Sequence, residues 1–205
     1  MKTKSFRVYF VRHGETLFNT TRQIQGWSDS PLTPKGIQQA MHLHDVFSGI
    51  HFDRAYSSSS ERACDTCEII LGNRNYERSK LFKEMNFGKL EGFVERRAGT
   101  YRKFQEIAQG YEDVDGESAD HLNERIRQGL DYLCRQAENE DKILVVAHGI
   151  YLMFLIAMFN DFTFLEFINL NKGAIANGSL TILDYEDGSY RMTCYNSLDY
   201  ERILK

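Results

Sequence analysis

The stretch Phe6-Arg7-Val8-Tyr9-Phe10-Val11-Arg12-His13-Gly14-Glu15-Thr16-Leu17-Phe18-Asn19 decides how the chain reads. An apolar run rich in β-branched and aromatic residues stops abruptly at Arg12-His13-Gly14-Glu15. Its length and composition suit a buried strand. The polar cluster then falls at the strand's carboxyl end, where open α/β sheets gather their ligands. Gly14 permits a sharp turn and a close approach to a ligand. His13 offers an imidazole nitrogen as a nucleophile. Arg12 is a permanent cation whose planar fork fits phosphate oxygens. Taken alone, a strand ending in ordinary solvated polar residues explains the stretch equally well.

The same pattern recurs far downstream. Lys142 to Ala147 is an apolar strand, and His148-Gly149 follows at once. Two His-Gly pairs at two strand ends make coincidence a poor explanation. Between them, Thr33 and Pro34 start a helix over about 34–48, with threonine as N-cap and proline at the first helical position. Phe52 to Tyr56 reads as a second strand. Ser58 and Glu61 fit a capping box, which places Arg62 in the first turn of the next helix, where the helix dipole favours a phosphate. Leu81 to Gly92 reads as a structured loop. A roughly helical rhythm follows over 93–110, and a helix capped by Ser118 runs to about 138. Ile150 to Phe159 reads as a helix. Ala176 to Tyr185 and Ser189 to Asn196 form a hairpin through Glu186-Asp187-Gly188. Strands alternating with helices predict an α/β three-layer sandwich, a mostly parallel central sheet with helices on both faces.

The 205 residues suit one domain, which can bury roughly 70% of its unfolded surface. A net charge of −4 gives no basic field for nucleic acid, so a phosphate site must be built from local cations. The run Ile143 to Phe159 is too short and too interrupted for a membrane span. Cys64 and Cys67 lack the second pair of a zinc site and read as inert thiols of a reducing, cytoplasmic setting. His42 and His44 do not share a helical face. Asn19-Thr20-Thr21 and Asn177-Gly178-Ser179 match the glycosylation pattern, but no signal core accompanies them.

Arg12-His13-Gly14-Glu15-Thr16, then Asn19, Gln25-Gly26 and Asp29-Ser30-Pro31-Leu32-Thr33, resembles the opening signature of the histidine phosphatase superfamily in its phosphoglycerate-mutase-like branch. Ser58 with Arg62-Ala63 and Thr66 resembles its second motif. Leu81 to Gly92 resembles its Leu-x-Glu-x-x-x-Gly-x-x-Glu-Gly segment, with Phe82 in it. Asp115-Gly116-Glu117-Ser118 resembles its Gly-Glu-Ser turn, and Val145 to Gly149 its Val-x-x-His-Gly motif. The resemblance spans about residues 6–185.

It implies a single domain over 1–205, with a lid-like insert at about 93–116 that leans over the pocket and selects the substrate. It implies that His13 is phosphorylated in turnover. Arg12, Arg62 and His148 would surround the phosphoryl group, and Asn19 and the Gln25-Gly26 backbone would donate further hydrogen bonds. Glu84, near an anionic phosphate and partly desolvated, should be raised in pKa and protonate the leaving oxygen; Glu91 would brace the loop. A carbonyl near Gly14 could fix the His13 tautomer. Without a metal-ligand constellation among the motifs, no metal and no cofactor are expected. The expected activity is metal-independent hydrolysis of small phosphate monoesters. Mutase-type phosphoryl transfer is disfavoured by Met85-Asn86-Phe87-Gly88, where the mutases carry Arg-His-Tyr-Gly. A catalytically silent module that binds a phosphorylated ligand stays open. The partner is then a small phosphorylated metabolite, with no nucleic acid and no membrane; a homodimer is left open.

Overall fold

A computed structural model describes residues 4–72, 74–94, 110–160 and 175–204. The described elements are β1 (Ser5–Arg12), α1 (Leu17–Thr21), α2 (Pro34–Val46), β2 (Arg54–Ser58), α3 (Glu61–Leu71), β3 (Glu77–Ser79), α4 (Ala119–Gln136), β4 (Lys142–Ala147), α5 (Gly149–Met158), β5 (Leu180–Glu186), β6 (Ser189–Ser197) and α6 (Tyr200–Ile203). The strands form one six-stranded sheet in the order β3-β2-β4-β1-β5-β6. β1 to β4 are parallel, and β5 and β6 continue the sheet antiparallel.

The continuous apolar runs of β1 and β4 follow from burial on both faces. Phe6, Val8 and Phe10 of β1 pack with Ile143, Val145 and Ala147 of β4 under α4 and α5, through Leu122, Ile126, Leu133, Tyr151 and Leu155. Tyr9 and Val11, with Leu144 and Val146, face α2 and α3 through Leu43, Ala63, Cys67 and Ile70. Helices therefore cover both faces, as the alternation of elements predicts.

Local signals account for most boundaries. Thr33 caps α2 by accepting the Gly36 N–H, with Pro34 at the first position, and Ser118 caps α4 through His121 N–H. The β5–β6 hairpin turns on Asp187 and Gly188, both at positive φ, as a two-residue loop requires. The Ser58–Glu61 capping box does not form. Ser60, not Ser58, is the N-cap of α3 and makes no side-chain cap bond; the Ser58 hydroxyl points to His148. Of the insert at 93–116, residues 95–109 lie outside the described residues, and with them the expected helical rhythm there. Among the described residues no helix is long and apolar enough to cross a membrane, and no group of three or more His, Cys, Asp or Glu is placed to hold a metal ion.

Candidate active site

The register of the two central strands builds the site. Arg12 pairs with Ala147 across the parallel β1–β4 ladder, so His13 and His148 emerge side by side. His13 N–H donates to Ala147 O at 3.0 Å, and the two imidazole centroids lie 5.2 Å apart. Arg12 and Arg62 lie beside them, and Glu84 reaches the start of α5.

His13 is buried. Its Nδ1 lies 2.7 Å from Gly14 O, and its Nε2 accepts Arg62 Nε–H at 3.3 Å. A ring whose Nδ1 faces a carbonyl and whose Nε2 faces a donor is neutral, with its proton on Nδ1 and its lone pair on Nε2. Burial, then the charges of Arg62 and Arg12, hold its pKa well below the ordinary value. The carbonyl expected near Gly14 is thus Gly14's own. Gly14 itself is required by a different close approach, since a Cβ there would sit 2.5 Å from the backbone oxygen of Gly36.

Arg62 is 1% exposed and bonded through all three of its nitrogens. Its Nη1 bonds Ser28 O at 2.9 Å and Asp29 Oδ1 at 3.0 Å, and its Nη2 bonds Gly26 O at 2.8 Å. The Thr66 hydroxyl donates to Arg62 O at 2.7 Å and accepts Gly14 N–H at 3.0 Å, tying α3 to the turn after β1. Arg12 donates through Nη1 to Ile175 O, while its buried Nε has no partner among the described residues. Burial lowers its guanidinium to about 10, against the pull of Glu84 and with the push of Arg62. Gly149 makes room for it, since a Cβ there would lie 3.3 Å from Arg12 Nε.

Glu84 is also buried. Its carboxylate accepts the N–H groups of Ile150 at 3.0 Å and Tyr151 at 2.9 Å in the first turn of α5, and its own neighbour Met85 N–H at 3.0 Å. Anion and helix N-terminus are complementary. Glu91 braces the loop as expected, accepting Trp27 N–H, Ser28 N–H and Phe87 N–H at 2.8, 2.6 and 3.1 Å. Gly26, at φ +54, has no room for a Cβ beside that carboxylate.

The three expected substrate-binding positions fare differently. Asn19 Oδ1 accepts Thr16 N–H and Asn177 Nδ2–H, and no bond from its Nδ2 to a described residue is made. The Gln25 side chain is occupied within its own loop, accepting from Thr16 Oγ1 at 3.0 Å and donating to Ser30 Oγ at 2.9 Å. At Gly26 the carbonyl is committed to Arg62; the expected donors, the backbone N–H groups of Gln25 and Gly26, are not used in these bonds.

Four supporting groups were given no role in the sequence reading, although Asp29 and Glu117 stood within quoted motifs. Asp29 anchors Arg62 and also accepts Glu61 N–H at 2.6 Å. Asn177 Nδ2 donates to His13 O at 3.0 Å; its only sequence signal was a glycosylation pattern. Glu117 and Arg125 form a buried two-bond ion pair at 2.9 and 2.7 Å. Arg125 also donates to the carbonyls of Leu81, Lys83 and Glu84, so the pair clamps the backbone that carries Glu84.

Comparison with known proteins identifies the family. The family profile of the histidine phosphatase superfamily (branch 1) matches residues 8–198. A curated relative from Salmonella arizonae, named "Probable phosphoglycerate mutase GpmB", is 35% identical over 158 residues, covering 74% of this chain and 73% of the relative. Phosphoglycerate mutase from Bacillus anthracis superposes with a TM-score of 0.82 at 28% identity, covering 97% of this chain and 96% of that one. Phosphoserine phosphatase from Entamoeba histolytica, in complex with 3-phosphoglyceric acid, superposes with a TM-score of 0.78 at 29% identity, covering 95% and 98%. With a family match over nearly its whole length and a sheet of the same kind, the chain belongs to the histidine phosphatase superfamily, in its phosphoglycerate-mutase-like branch.

Proposed function

We propose that the chain is a metal-independent phosphatase of small phosphate monoesters that works through a phosphohistidine at His13. One observation carries the reading: the His13 Nε2 lone pair, its tautomer fixed by Gly14 O, faces Arg62 Nε–H. A phosphoryl group entering there takes over that N–H through one of its oxygens and frees the lone pair for in-line attack. The P–O bond to the leaving group breaks as the Nε2–P bond forms, and Glu84, which takes up a proton with the anionic substrate at the cost of an N–H bond to its carboxylate, gives that proton to the departing oxygen. Water then attacks the phosphohistidine, returning a proton to Glu84 and releasing inorganic phosphate. Arg12 and Arg62 neutralise the phosphoryl oxygens throughout. Asn19 is assigned a further donor role. Gln25 and Gly26 act by holding the loop that anchors Arg62.

The names of the relatives favour a second reading, in which an alcohol rather than water accepts the phosphoryl group. Against it, Met85 is buried in the core and Asn86 is spent on backbone, its N–H bonding Glu117 and its Oδ1 accepting Gly88 N–H. No cation stands where the mutases carry Arg-His. Incubation with 3-phosphoglycerate separates the two by release of inorganic phosphate or appearance of 2-phosphoglycerate. Hydrolysis of an aryl phosphate in EDTA, with alkaline quenching and mapping of ³²P label, tests the core claim. Label is expected on His13 and lost in His13→Ala; turnover by His13→Ala at the wild-type rate refutes it. Glu84→Gln should lose far more rate with a poor leaving group than with a good one, and equal losses would remove its assignment as acid.

A further inference from the structure

His148 is wholly buried, and its two ring nitrogens have opposite surroundings. Nε2 lies 2.7 Å from Ser58 Oγ. Nδ1 has no partner among the described residues. The Ser58 oxygen already accepts the backbone N–H of Ser60 at 3.3 Å, so the remaining question is where its own proton goes. Ser60 Oγ is 3.4 Å away, beyond the normal range for an O–H donor, whereas Nε2 is well within it. A hydroxyl that gives its proton to Nε2 needs a neutral imidazole, and burial together with Arg62, His13, Arg12 and Arg125 keeps this ring neutral. A neutral imidazole has one donor and one acceptor. If Nε2 accepts, Nδ1 must carry the hydrogen.

That hydrogen is then a buried donor with no acceptor among the described residues. Arg12 Nε, packed against Gly149 beside it, is another. Two unsatisfied buried donors at one turn are costly unless a ligand oxygen answers them. We infer that Ser58 is a positioning residue: it holds His148 as the neutral Nδ1–H tautomer, so that this N–H and Arg12 Nε–H converge on an oxygen of the bound phosphoryl group. This rests on the reading of the pocket as a phosphate site. It assigns His148 the part of a neutral donor, and the site's fixed positive charge comes from the two arginines.

The test reads the tautomer directly. In ¹⁵N-histidine-labelled protein without ligand, with His148→Gln identifying the resonances, His148 is expected to show a protonated Nδ1 and a bare Nε2. Ser58→Ala should mix the two tautomers and weaken inhibition by inorganic phosphate by about 10-fold, the loss of one hydrogen bond. Ser58→Thr, which keeps the hydroxyl, should restore both. A wild-type His148 protonated on Nε2, or on both nitrogens at neutral pH, overturns the inference, as does a Ser58→Ala protein with unchanged tautomer and unchanged phosphate inhibition. Failure of wild type to bind phosphate would instead overturn the functional reading, while the ligand-free spectrum still decides the tautomer.

Discussion

Replacing Arg125 by Met should destabilise the protein heavily and damage its chemistry at a distance. The side chain is buried and makes two bonds to Glu117 and three to the carbonyls of Leu81, Lys83 and Glu84. Glu117 is deeper still, its side chain 2% exposed. Removing the cation leaves that carboxylate with a 3.3 Å bond from Asn86 N–H and a 3.4 Å approach to His121. Breaking a buried pair by removing one partner costs about 3–5 kcal/mol. For a chain of this size each kcal/mol lowers Tm by about 2–4 °C, so a fall of roughly 6–20 °C is expected in a thermal scan. The double variant Arg125→Met/Glu117→Leu removes the stranded charge and should recover much of that loss, although three carbonyls still lack their donor. In kinetics, release of the Lys83–Glu84 backbone should lower kcat more for poor leaving groups than for good ones. An Arg125→Met protein within about 1 kcal/mol of wild type in urea unfolding, or a double variant no more stable than the single, would refute the clamp.

Protonation of the buried histidines gives a second expectation. His13 and His148 both sit well below the ordinary value of 6.5 in the folded protein, so the unfolded chain binds protons that the folded one refuses. Their contribution is complete above about pH 6.5 and is lost as pH falls, with a slope approaching about 2.7 kcal/mol per pH unit for the two together. Urea unfolding from pH 7.5 to 5 should show this steep fall, and a His13→Gln/His148→Gln protein should lose it; matching slopes would contradict the burial argument. At Gly149, alanine brings a Cβ to 3.3 Å from Arg12 Nε and 3.4 Å from Cζ, displacing the guanidinium by a few tenths of an ångström. A fall in kcat/KM of about 10-fold with an unchanged Tm is expected, since small misplacements of a positioning group are costly; full activity would show that Arg12 does not need that space.

The legible parts of this molecule were those written in short-range pattern. The runs ending at Arg12 and Ala147 announced strands by composition, and the glycine after each histidine announced a site. The fold followed from alternating elements, and Arg62 from its place in a helical first turn. What stayed hidden was long-range polar pairing. Asn177 meets His13 across 164 positions, Ser58 meets His148 across 90, and Glu117 meets the Asn86 backbone across 31. Local spacing carries no information about such partners. Ser58 illustrates the error: its spacing to Glu61 suited a cap, but the register of β2 beside β4 turned its hydroxyl toward His148. Gly14 was assigned to the ligand, whereas its missing Cβ serves the contact with Gly36.

The placement of β1 has a consequence for synthesis. The strand is flanked by β4 and β5, whose residues begin at 142 and 180. On a ribosome adding about 5–20 residues per second, the strand bearing His13 waits on the order of ten seconds for its first neighbour. Until then its backbone has no strand to pair with on either edge. Made before the strands on both its edges, it waits for them unpaired, and the nascent chain must be kept from aggregating through that interval.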